Sequence, residues 1–113
     1  MGRRKLISAA EAQNLLGLAD KDGLIRHYTI DAADRLECEL RRRPHNKLGF
    51  AIQLCVIRQT GRLLGEDEQP PSAIVEYVAD QLGVDGRSYS IYAHRAQTWF
   101  EHSRYLTNYL GLH

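Results

Sequence analysis

Arg41, Arg42 and Arg43 run into Pro44, His45, Asn46 and Lys47, a grouping of side chains suited to gripping a polyanion. A guanidinium presents a planar fork of donors that matches two phosphate oxygens at once. Asn46 and Lys47 fall where the next helix should open, and the free amides of a helix N-terminus attract phosphate as well. A structural role competes for the three arginines. Cations at the end of a helix complement its dipole and its unpaired carbonyls, with no ligand required. At this level both roles stay open.

Further basic and polar residues could extend such a grip. Arg87 and Ser88 open a short segment after Gly83, where they would meet phosphates or base edges. Arg95, Thr98 and His102 lie one turn apart on the border of the last helix's apolar stripe. Arg95 and Thr98 suit phosphate or base contact, whereas His102 better suits a hydrogen-bonded network with neighbouring helices. Arg3, Arg4 and Lys5 form an arm fit for a minor groove, or else a solvated tail. Trp99, Phe100 and Tyr105 are platforms for stacking bases or, at helical spacing, parts of the core.

Catalytic chemistry finds little footing. The five histidines (27, 45, 94, 102 and 113) show no zinc-binding spacing. Glu101 and His102 are adjacent, so on a helix they diverge and form no acid–base pair. No glycine-rich loop is built to cradle a phosphate. The expectation is a chain with no catalytic residue, no metal site and no cofactor of its own. Cys38 and Cys55 lie far apart within helical patterns, which fits free buried thiols in a reducing compartment.

The elements that must hold these side chains are helical. Ser8 with Glu11 forms a capping pair that opens a short helix ending at Gly17. Residues 20–28 offer one or two turns, weakened at Gly23. Asp31, with Asp34 three residues on, starts a helix that carries to the break before Pro44. From about Asn46 to Gln59 the chain is apolar nearly all round, which places that helix in the middle of the domain. Gln53, its one polar mid-body residue, reads as the maker of a buried hydrogen bond. Gly61 and Gly65 bracket the exit, and the loop that follows ends at Pro71, which suits a first helical position. Ile74, Val75, Val78, Ala79 and Leu82 then make one stripe, closed by Gly83. Asp85 caps a short helix around Arg87–Tyr92, and a last helix runs roughly from Arg95 to Tyr109. Ala79, four residues before Gly83, has the spacing of a helix-turn-helix corner, whose next helix would be the recognition helix. The expected fold is all-α, a compact bundle of about six or seven helices with helix-turn-helix-like corners, in one domain over residues 1–113.

Net charge alone predicts no partner. Fifteen basic residues face fourteen acidic ones for a formal charge of +1, yet the signs separate along the chain. Residues 35–47 carry five basic side chains against Glu37 and Glu39, while acids gather at 66–68. A near-neutral chain with separated signs can present a basic face. No apolar run reaches the length of a membrane span, and no signal peptide is apparent. A cytoplasmic protein without a membrane partner is the expectation.

The segments "SAAEAQNLLGL", "LIRHYTI", "RRRPHNKLGFAIQLCVIRQTGRLL", "VEYVADQLGV" and "YAHRAQTWFEHSRYLTNYLG" follow one another in a recognisable order. From about Arg3 to Leu112 the chain resembles the N-terminal domain of Tn-three-family replicative transposases. The most specific stretch is Lys47–Leu64, where Lys47 replaces the arginine of the family pattern. The resemblance implies a bacterial helical domain that binds double-stranded DNA at the terminal inverted repeats of a transposon. It also implies a much longer parent enzyme, whose acidic triad and Mg²⁺ site lie far downstream and whose remaining domains are partners of this one. One departure is visible: where the family usually has arginine after the threonine, this chain has Trp99 after Thr98. The alternative is a helical protein-interaction or oligomerisation module of the same transposase. A stand-alone helix-turn-helix regulator is a third reading, disfavoured by the abrupt end at His113.

Overall fold

The computed structural model describes residues 21–64, 69–93 and 96–111. Among these residues the chain forms α1 (Lys21–Tyr28), α2 (Ala32–Glu39), α3 (Pro44–Thr60), α4 (Ser72–Leu82), a 3-10 turn (Gly86–Ser88), α5 (Tyr89–Ala93) and α6 (Ala96–Tyr109), with no strand. The all-α bundle expected from the periodicity is what forms. The Ser8–Glu11 pair with its helix to Gly17, and Gly65 with the acids beyond it, lie outside the described residues.

α3 is the hub, and every other described helix packs against it. Its residues from Leu48 to Ile57 are all buried, as a helix apolar nearly all round requires. It opens two residues earlier than the apolar pattern suggests, because Pro44 occupies the first turn, where its missing N–H costs nothing. Gly61 closes it in the left-handed conformation, φ 82°, its N–H bonding Ile57 O. Gln53 makes the buried bonds its position foretold. Its Oε1 accepts from Leu64 N at 3.0 Å, and its Nε2 donates to Leu64 O at 3.2 Å. Trp99 Nε1 donates to the same carbonyl at 2.9 Å, so one backbone residue past α3 is tied to both α3 and α6.

α2 begins as its sequence suggests. Asp31 Oδ1 accepts from Asp34 N at 2.8 Å and satisfies one orphan amide of the first turn. The helix ends at Glu39 rather than at the residue before Pro44. Arg43, preceding the proline, is held extended at φ −111°, ψ 152°, so the chain must leave helix geometry ahead of it. Asp34 faces inward at 2% exposure and meets Arg58 of α3 in a two-pronged pair, 2.7 and 3.0 Å. Gln81 of α4 fastens the α1–α2 link from the other side, accepting from Ile30 N and donating to Tyr28 O, each at 2.8 Å.

α4 ends at Gly83, φ 70°, whose N–H bonds the carbonyls of Ala79 and Asp80, while Val84 N reaches Ala79 O at 3.0 Å. Gly86 faces Val75 and Ala79 across the corner, where an added Cβ would meet them at ordinary contact distances of 3.5 and 3.8 Å. Asp85 caps the next segment through Arg87 N at 2.8 Å, as expected. That segment is not one helix, however. It splits into the 3-10 turn and the five-residue α5, whose Tyr89 and Tyr92 are buried. Cys38 and Cys55 are buried free thiols, each pushed up to about 12 chiefly by burial, and so inert as nucleophiles at neutral pH.

Candidate nucleic-acid interface

The three arginines after α2 part company in space. Arg41 turns inward. Its guanidinium carbon lies 3.9 Å from the ring centre of Phe50 on α3 and 4.5 Å from that of Tyr105 on α6. Its Nη2 is 3.7 Å from Glu37 Oε1, the atom to which Tyr105 Oη also donates at 2.7 Å. Two aromatic faces and one carboxylate thus hold the cation, at ~0.5–2 kcal/mol per ring. Arg42 and Arg43 are exposed, with no ion pair or hydrogen bond among the described residues. Arg41 therefore sets the corner against α6, and its two neighbours supply the free positive charge.

The other candidates are distributed unevenly. Lys47 Nζ donates to Glu39 Oε1 at 2.6 Å, which holds that carboxyl below its usual range and offsets the lysine's charge. Asn46 is half-buried, its Oδ1 enclosed without a hydrogen-bond partner among the described residues. Arg87 lies across the molecule's α4–α5 corner and is paired with Asp85, Nη2 to Oδ2 at 2.9 Å. It borders a cavity of about 400 Å³ that Glu76 and Asp85 also line, a poor setting for phosphate. Ser88 is half-buried in the 3-10 turn, and Thr98 is half-buried on α6. Arg3, Arg4, Lys5 and Arg95 lie outside the described residues. Elsewhere, Arg35 donates to Gln81 O at 2.8 Å and Arg58 is taken by Asp34.

α6 is fixed by aromatic packing. His102 is buried, stacked on Tyr92 with ring centres 5.5 Å apart and edge-on to Phe50 at 5.2 Å. Its Nδ1 is 3.2 Å from Tyr92 Oη. Burial, then the nearby Arg41 cation, push His102 down to about 4, so the ring is neutral at physiological pH. The hydrogen-bonded packing role is the one it plays here. Tyr92 in turn lies flat on Gly49 of α3. This clamp leaves one face of α6 outward: Gln97, Phe100, Glu101, Arg104 and Asn108 are all exposed. Arg104 and Asn108 do not stand out in the sequence. Their spacing opposite the Trp99–His102–Leu106 stripe is the signal that marks them.

Residues 6–113 match the family described as "Domain of unknown function (DUF4158)". The chain belongs to that family. Among its relatives, the transposase for transposon Tn21 from Escherichia coli is 46% identical over 112 residues, covering 98% of this chain and 11% of that protein. The transposase for transposon Tn3926, also from Escherichia coli, is 47% identical over 103 residues, 90% of this chain and 10% of its own length. That for Tn501 from Pseudomonas aeruginosa is 41% identical over 113 residues, 99% of this chain and 11% of its own. The chain thus spans about a tenth of these relatives' length. It is a DUF4158 domain of the kind found in the N-terminal region of Tn-three-family transposases.

Within this DUF4158 domain the departure at Trp99 has a local meaning. Trp99 packs against the core and spends its indole N–H on Leu64 O, so the missing arginine is lost from an inward position. The outward face of α6 keeps its cation at Arg104. No described helix of the domain is long and apolar enough to cross a membrane. The described residues also contain no cluster of side chains able to hold a metal ion.

Proposed function

We propose that this DUF4158 domain binds duplex DNA at the terminal inverted repeats of a transposon and so positions a catalytic core carried elsewhere in a transposase. The observation that carries the reading is the α2–α3 corner. Arg42 and Arg43 are exposed and unengaged among the described residues, on a loop that the Arg41 clamp holds against α6. The relatives are transposases, which must find the ends of their own element. In this reading the protein works in the bacterial cytoplasm, on the nucleoid, and the remaining transposase domains are its partners. Mg²⁺ chemistry belongs to those domains and not to these residues.

Fluorescence anisotropy with a labelled duplex across a salt series tests the grip. Each phosphate contact adds about 0.9 to the log–log slope of affinity against salt. Replacing Arg42 and Arg43 by alanine is expected to lower that slope by about two and to weaken binding to any duplex. Unchanged binding by the double variant would remove the corner from the interface.

A second reading, a helical interaction module of the same transposase, has one observation in its favour. Leu36 and Leu40 sit one turn apart at the outer side of α2, 70% and 67% exposed. Solitary exposed leucines are ordinary, but two at this spacing form a stripe. A chain that self-associates yet ignores duplex DNA even at low salt would make this the better account.

A further inference from the structure

A helix that reads sequence in the major groove must be long enough to lie there and must carry donors and acceptors on a solvent face. Most of the described helices fail one of these conditions. α3 is buried along its body. The outward side of α4 carries Glu76 and Asp80 and no basic residue to hold phosphates beside them. α5 has five residues, and its two tyrosines point into the core. α2 spends Arg35 on Gln81 O and shows solvent its two leucines and Glu39. α1 is only eight residues long.

α6 meets both conditions. Its 14 residues span about 21 Å, comparable to the run of a groove. Gln97, Glu101, Arg104 and Asn108 follow at spacings of four, three and four, which aligns them on one exposed face. These are the side-chain types that pair with base edges: arginine with guanine, asparagine or glutamine with adenine, glutamate with the cytosine amine. Gln97 Nε2 donates to Glu101 Oε2 at 3.1 Å, so that pair is already oriented. Arg104 and Asn108 have no partner among the described residues and line a shallow groove of about 270 Å³ with Ser103 and Thr107. Phe100, 52% exposed and one turn before Arg104, offers an apolar contact suited to a thymine methyl. On the adjoining side of the helix, Tyr105 touches Arg41, which brings Arg42 and Arg43 to the helix's flank.

We infer that α6 is the recognition helix, with Arg104 and Asn108 reading base edges in the major groove while Arg42 and Arg43 hold phosphates beside it. This places recognition on the last helix of the chain, not on the segment after Gly83. The inference rests on the DNA-binding reading above and adds the element and the residues that confer preference.

The test uses the 113-residue chain with a duplex library randomised over a central stretch, sequenced after selection, with anisotropy on the selected and scrambled duplexes. The wild-type chain is expected to select a defined sequence. Arg104→Ala with Asn108→Ala should erase at least about tenfold of that preference while leaving salt-dependent binding to scrambled duplex in place. Arg104→Lys, which keeps the charge and loses the planar fork, should likewise keep the salt slope and lose preference at one position. Both residues are exposed, so circular dichroism should show the fold unchanged. A double variant that selects the same sequence by the same margin would overturn the assignment of α6. So would a wild-type chain that binds duplexes with no preference, although the DNA-binding reading would then survive. A wild-type chain that binds no duplex at low salt would overturn that reading itself, and the present inference with it.

Discussion

Gly49→Ala is expected to destabilise the domain by about 2 kcal/mol net, although glycine-to-alanine in a helix interior ordinarily helps. The two effects oppose each other, and magnitude decides. Alanine gains about 1 kcal/mol over glycine through lower chain entropy and better helix propensity. At Gly49, however, a Cβ would overlap Cγ, Cδ1 and Cδ2 of Tyr92, near the root of the ring rather than at a movable tip. Tyr92 is 1% exposed and cannot swing aside without leaving His102 and the core. Overpacking of this kind costs about 1–3 kcal/mol or more. Here it must displace α5 from α3, so the upper end applies. Urea unfolding would measure the loss directly. In a Tyr92→Ala background the penalty should shrink, since alanine lacks the Cγ, Cδ1 and Cδ2 that collide, and that non-additivity identifies the cause. A neutral or stabilising Gly49→Ala would mean that α5 does not sit where the structure places it.

Arg58→Met is expected to cost somewhat more, for an electrostatic reason. The Asp34 carboxylate is 3% accessible and receives both of its charge-assisted bonds from Arg58. Methionine keeps the aliphatic stem but leaves a buried carboxylate without its partner. Breaking a buried pair from one side costs about 3–5 kcal/mol. Arg58 itself is 43% exposed, so water can replace part of the lost interaction, and about 3 kcal/mol is the expected figure. For a domain of this size that lowers the Tm by roughly 10–20 °C. Adding Asp34→Asn to Arg58→Met should restore part of the loss, because the amide brings no charge into the core. An equal or larger loss in the double variant would show that the carboxylate is needed for something other than Arg58.

These two sites mark where sequence reasoning reached and where it stopped. Features set by near neighbours were legible: the Asp31 cap, the Gly61 and Gly83 terminators, the central apolar helix and the buried bonding of Gln53. Each follows from a few residues of local pattern. Gly49 looks like a weak point in an apolar helix, and only the arrival of Tyr92 explains it. A glycine retained there at a cost of about 1 kcal/mol is itself a hint of close approach. Asp34 reads as part of a helix start, and nothing local announces that its carboxylate turns to Arg58. The division of labour among Arg41, Arg42 and Arg43 is decided by Tyr105, far along the chain, and so was hidden. The expected recognition segment after Gly83 follows a left-handed glycine turn, but its helix is cut short by the 3-10 turn and anchored by two buried tyrosines. What faces water on α6 could be sorted from what faces the core only once the Trp99–Leu106 stripe was seen to pack.

The stacked, neutral His102 couples the fold to protons. Unfolded, its ring binds a proton below about pH 6.5; folded, it resists until about 4. Between those values the unfolded chain holds the extra proton, so acid pulls the equilibrium toward unfolding. The contribution is fully present above about pH 6.5, declines as pH falls toward 4, and levels off below, for a total of up to about 3 kcal/mol. Arg41 adds to the resistance and Glu101 opposes it. Urea midpoints measured from pH 7.5 to 4 should therefore fall more steeply for the native chain than for His102→Leu. A residue placed by packing thus makes the domain acid-labile across the mildly acidic range.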